Sequence, residues 1–131
     1  MLTRLLLPPL LGRADIRVQL PFVVGDDGVP EPDLALVEPE YFKDTHPDRA
    51  FLITEVANAS LKFDRQDKAE LYARAAVPEY WVVNVADGII EQHGEPASGS
   101  YARVTPFRRG QTIAPLAFQE VAVRVDEVFG E

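Results

Sequence analysis

The sequence predicts an α/β (α+β) fold built on a mixed central β-sheet with a βαβ crossover helix. Three observations carry that reading. Asp33–Val37, Phe51–Ala57 and Tyr80–Val85 are apolar runs of strand length. One amphipathic helical stretch, Arg65–Ala76, lies between the last two, and its length suits a crossover joining parallel strands. Asp87-Gly88 then marks a two-residue hairpin turn into Ile89–His93.

In chain order, Leu5–Leu11 reads as the tail of a helix ending at Pro8 and Pro9, with a turn at Gly12. Asp15–Val24 alternates apolar and polar residues and predicts a half-buried strand. Gly25–Gly28, with Pro30 and Pro32 following, predicts a turn. Asp33–Val37 and Phe51–Ala57 are apolar on both faces, as expected of central strands. Between them, Pro39–Arg49 is polar and loop-like. Asp64 is placed to cap the helix. Gly94–Ser100 reads as a flexible loop, Tyr101–Phe107 as a strand and Gln111–Ile113 as a short one. Val121–Phe129 reads as strand followed by a single helical turn.

The chain has 131 residues, 47% of them hydrophobic, which fits one globular domain spanning 1–131. Thirteen basic against twenty-one acidic residues give a net charge of −8, which argues against a general nucleic-acid binder with a basic footprint. It argues less against a nuclease, whose acidic site a cation can neutralise. The absence of cysteine removes thiolate and disulfide chemistry and suits a cytoplasmic location. The N-terminal apolar stretch falls well short of the roughly 18 residues that span a bilayer, so no membrane association is expected.

Asp33 and Glu55 each set an acidic group in an apolar run. A buried carboxylate must be protonated, paired or bound to a cation. On the helix, Lys68, Leu71, Tyr72 and Ala75 follow i, i+3, i+4, i+7 spacing, so Lys68 begins the buried stripe near the end of the sheet that carries Glu55. Lysine can also snorkel past a helix end into water, and a structural ion pair is the plainer reading of Glu55. Asp33 has a plainer reading too, as a turn residue after Pro32. If the three converge, two carboxylates and the Val56 carbonyl form an oxygen-only set that selects Mg²⁺ or Mn²⁺. The metal activates water while Lys68 stabilises charge on a phosphate.

Pro32–Val37, Phe51–Val56, Asp64–Lys68 with Tyr72-Ala73, and Val77–Val83 together resemble the Uma-type putative restriction endonuclease family of the PD-(D/E)XK nuclease superfamily. The resemblance covers roughly residues 15–95. It implies a restriction-endonuclease-like core, a divalent metal at Asp33 and Glu55, and DNA as the substrate. The superfamily lysine normally stands two residues after the second acid. Ala57 occupies that place, and Lys68 looks like the migrated equivalent. Relatives carry an N-terminal helical region of several dozen residues, which Leu2–Leu11 resembles in shortened form.

Two rival readings stand beside a metal-dependent DNA endonuclease. One is a catalytically inactive domain acting in binding or homodimeric assembly; the other is a glycoside hydrolase using the two carboxylates, which leaves Lys68 without a role. Asp44–Asp48 and His93 read as solvated surface, and Arg108-Arg109 as a solvated turn. Tyr80 and Trp81 read as core residues on opposite faces, and Tyr72 as packed on the sheet with its hydroxyl near the site.

Overall fold

Alternation alone would carry a strand from Asp15 to Val24, but Gln19 adopts a left-handed backbone (φ 52°) that interrupts it. In the computed structural model, which describes residues 2–25, 28–39, 46–57 and 62–130 (62–65 by backbone alone), β1 is only Asp15–Arg17. Beyond it Val18 and Leu20 are exposed, while Phe22 and Val24 are buried in an irregular arm. The Phe22 and Val24 N–H groups donate to the carbonyls of Pro30 and Gly28, closing the expected turn. Upstream, α1 (Leu2–Leu10) runs through Pro8 and Pro9 rather than ending at them. Burial of Leu2, Leu6 and Leu10 along one stripe outweighs the hydrogen bonds those prolines remove.

The central strands form where the apolar runs predict. β2 is Leu34–Val37, buried at every position, and β3 is Leu52–Ala57. Val56 departs from the expected two-sided burial and is 52% exposed. The crossover helix α2 is Lys62–Arg74, so it begins before Asp64, which is therefore not its cap. It stops at Ala76, whose φ is +60°. There the Val77 N–H donates to the Tyr72 carbonyl and the Ala76 N–H to that of Ala73, the pattern of a Schellman stop with alanine where glycine is usual. β4 (Glu79–Asn84) returns parallel to β3, with Glu55 opposite Val82.

Two turns differ from expectation. Asp87-Gly88 lies in a four-residue loop, because Asn84 pairs with Ile89. The Asn84 side-chain amide donates to Asp87 and accepts from its N–H, which stabilises the wider turn. Residues 94–100 are not a loop. β5 (Ile89–Ala97) and β6 (Ser100–Arg108) are joined by Ser98 (φ 53°) and Gly99 (φ 83°), the two positive values that a tight hairpin turn of this hand requires. The C-terminal arm follows the expectation, with β7 (Thr112–Ile113), β8 (Val123–Arg124) and the single turn α3 (Val125–Val128).

The sheet is mixed, ordered β1-β2-β3-β4-β5-β6, with β3–β4 its parallel pair and the others antiparallel. One face packs Leu36, Leu52, Trp81 and Ile90 against α1 and the C-terminal arm. The other packs Ala35, Ile53, Tyr80 and Val82 against Tyr72 of α2. Phe51, which strict alternation along Phe51–Ala57 would put on the face of Glu55, packs on the α1 side instead. The buried Glu79 joins the layers, accepting from Trp81 Nε1 (2.5 Å), Gln92 Nε2 (2.6 Å) and the Leu116 N–H (2.7 Å). Burial pushes its carboxyl above the usual range, and the three donors oppose that shift.

Ala76→Gly tests the helix stop. A left-handed residue other than glycine costs roughly 1–2 kcal/mol, partly offset by the greater freedom of glycine in the unfolded chain. The substitution is expected to raise unfolding stability by up to about 1 kcal/mol in denaturant titration.

Candidate active site

Antiparallel pairing sets Leu34 opposite Thr54, so the next pair outward is Asp33 and Glu55, just where β2 ends. The ladder is continued there by side chains. Asp33 Oδ2 accepts the Val56 N–H at 2.7 Å, and the Asp33 N–H donates to Glu55 Oε1 at 3.3 Å. Each carboxylate is thus tied to the opposite strand's backbone. Glu55 shares its face with Ile53 and Ala57, under α2. From that helix the Tyr72 hydroxyl donates to Glu55 Oε2 at 3.0 Å, and Lys68 Nζ lies 3.4 Å from the same oxygen.

The expected convergence of Asp33, Glu55 and Lys68 is therefore present in the geometry. Lys68 sits at the rim rather than within the buried stripe: its side chain is 46% exposed, against 7% for Glu55. The buried face of α2 centres on Tyr72 and Ala73, with Leu71 partly covered. Lys68 reaches in from solvent and presents its amine to Glu55. The structural ion pair and the catalytic arrangement use the same contact.

Burial is the main force on Glu55 and raises its carboxyl above the ordinary value near 4.5. Lys68 and the Tyr72 hydroxyl act against that shift, while the neighbouring Asp33 charge adds to it. The Tyr72 phenol is itself pushed well up by burial and by Glu55, so it stays a donor at any physiological pH.

Among the described residues, no group of three or more His, Cys, Asp or Glu side chains could hold a metal. Two carboxylates remain, and they fit Mg²⁺ or Mn²⁺, which are commonly held by one or two carboxylates with water and substrate phosphate filling the other positions. The strain of two adjacent carboxylates, one of them buried, is what a divalent cation would relieve. Val56 lies beside both, its N–H committed to Asp33.

The remaining sequence candidates fall elsewhere. Asp44 and Thr45 lie outside the described residues, while His46 and Asp48 are exposed. His93 is not a surface residue. Its side chain is 12% exposed, within 3.4 Å of Glu91 and with ring centroids 5.5 and 5.8 Å from those of Tyr80 and Tyr101. Position at a hairpin end concealed this, because the aromatic partners come from β4 and β6. Arg108 and Arg109 are exposed, and Arg109 lies over the Phe129 ring at 5.3 Å. Tyr80 and Trp81 are both buried, on opposite faces as expected. Sequence reasoning missed Glu79 as a buried carboxylate. Its only signal was an acidic residue two places before Trp81 on a strand.

This architecture recurs in a solved structure. A crystal structure described as a putative nuclease belonging to DUF820 from Anabaena variabilis ATCC 29413 superposes with a TM-score of 0.73 at 11% identity, covering 97% of this chain and 73% of that one. The fold is restriction-endonuclease-like. Residues 2–126 match the Uma2 family model, described as putative restriction endonuclease, and the chain belongs to that family. No curated protein matches it significantly.

Removing a group that favours ionised Glu55 should raise its carboxyl pKa further. Tyr72→Phe and Lys68→Met are each expected to do so in an NMR titration of the Glu55 carboxyl carbon, with Tyr72→Phe also destabilising by about 1 kcal/mol. The folded value lies above the unfolded one. The Glu55 contribution to stability is therefore full below about 4.5 and is lost as pH rises through the folded value. Glu55→Gln should remove the Glu55 share of that decline and leave the share of the likewise buried Glu79.

Proposed function

We propose that this protein is a divalent-metal-dependent endonuclease hydrolysing DNA phosphodiester bonds. The observation that carries the reading is the reciprocal tie between Asp33 and Glu55, with a half-exposed ammonium on the same carboxylate. Family membership and fold support it. Asp33, Glu55 and the Val56 carbonyl would hold Mg²⁺ or Mn²⁺. When bound, the cation supplies Lewis acidity toward phosphate and water. Lys68 reaches the site from the solvent side, where it orients the attacking water and stabilises the charge developing on the phosphoryl oxygens. Tyr72 fixes the Glu55 carboxylate by its hydroxyl, so that the oxygens keep one orientation.

Among the described residues, no helix is long and apolar enough to cross a membrane. The lack of cysteine suits a reducing cytoplasm, where such an enzyme would meet DNA. A second reading, homodimeric assembly, draws on Leu7 and Leu11, which are 45% and 75% exposed at α1 and the turn after it.

Mn²⁺ or Mg²⁺ is expected to raise the melting temperature of the wild type, and Asp33→Ala or Glu55→Ala to remove that gain. An equal rise in the variants would refute the metal site. Metal affinity should strengthen as pH increases through the raised Glu55 value, because the ligand must lose its proton. Plasmid cleavage should fall by about 100-fold or more in Lys68→Ala.

A further inference from the structure

A cavity of about 370 Å³ opens on the α1 face of the sheet, directly beside the carboxylate pair. Asp33 lies on its wall, so the cavity and the candidate metal site share a residue. The rest of its wall is almost wholly apolar, with Leu34, Val83, Val85 and Phe129 contributing and Thr54 among them. Among the described residues Asp33 is the one charged residue that lines it. Thr54 is 1% exposed, and its hydroxyl has no hydrogen-bond partner among the described residues. Buried hydroxyls are ordinarily satisfied, and an orphaned one beside a cavity is a group left for an occupant.

These properties select the occupant. Among the described residues no lysine or arginine lines the cavity, which favours an uncharged group over a phosphate. Its volume falls within the range of about 300–1,000 Å³ typical of small-ligand sites, at the small end. One aromatic ring, aliphatic walls and the hydroxyls of Thr3 and Thr54 suit a flat, polar-edged heterocycle, which stacks and hydrogen-bonds at once. The shared Asp33 places such a group next to a phosphodiester held at the carboxylates.

We infer that the cavity is a subsite for an unpaired nucleoside, taking the base and sugar that flank the phosphodiester at Asp33 and Glu55, with Thr54 as its hydrogen-bonding group. This rests on the nuclease reading. It assigns the protein a preference for DNA whose base can leave the stack, such as single strands, mismatches or ends, because extrusion from an intact duplex costs a few kcal/mol.

The test does not depend on cleavage. Deoxynucleosides without phosphate are titrated into the metal-free full chain, following the methyl signals of Leu34, Val83 and Val85 by NMR. Saturable shifts are expected in the wild type. Val85 is 50% exposed at the rim, so Val85→Trp fills the mouth from outside and should weaken binding more than tenfold with remote methyl signals unchanged. Thr54→Val, which keeps the shape, should weaken it about fivefold, the loss of one hydrogen bond. No shift at millimolar nucleoside, or shifts indifferent to both variants, would overturn the subsite. Shifts that track protein concentration instead would overturn it in favour of a second copy filling the cavity. Nucleoside binding without plasmid cleavage in the wild type would count against the nuclease reading and leave the subsite standing.

Discussion

The site depends on a pair of hydrogen bonds at the point where β2 runs out. There the backbone ladder has no further strand residues to continue it, and carboxylates take over: Asp33 receives the Val56 N–H and Glu55 receives that of Asp33. Satisfying the backbone in this way obliges two acidic groups to sit side by side. The like-charge penalty is then built into the fold. Tyr72 and Lys68 offset it from one side, and the Asp33 N–H adds to their effect.

That arrangement explains why α2 carries its chemistry at one end and its packing at the other. Tyr72 and Ala73 anchor the helix on the sheet, while Lys68, one turn earlier, stays half in water. A lysine fully inside the stripe would have been a second desolvated charge. At the rim, the helix presents the amine to Glu55 from the solvent edge. Ala57, two residues after Glu55, is buried beneath the helix.

Much of this was legible in the residues. Two-sided apolar runs located β2, β3 and β4, and helical spacing between the last two implied the parallel crossover. Two of the misreadings share a cause, which is that composition does not report backbone angles. Gln19 broke a well-alternating strand by turning left-handed, whereas a Gly-, Pro- and Ser-containing stretch that looked like loop proved to be a regular hairpin around Ser98 and Gly99. His93 and Glu79 were misjudged or passed over because their partners come from strands and loops distant in the chain.

By itself, the sequence determined which strands form the centre of the sheet, their crossover, and the three charged residues that merit attention, since periodicity and the expense of burying charge are local properties. Tertiary structure alone decided that Asp33 and Glu55 bond to each other's strands, that Lys68 stands at the rim, and that an apolar cavity with the Thr54 hydroxyl adjoins them. Those features are set by strand register and by which surfaces meet across the sheet, and no single segment encodes either.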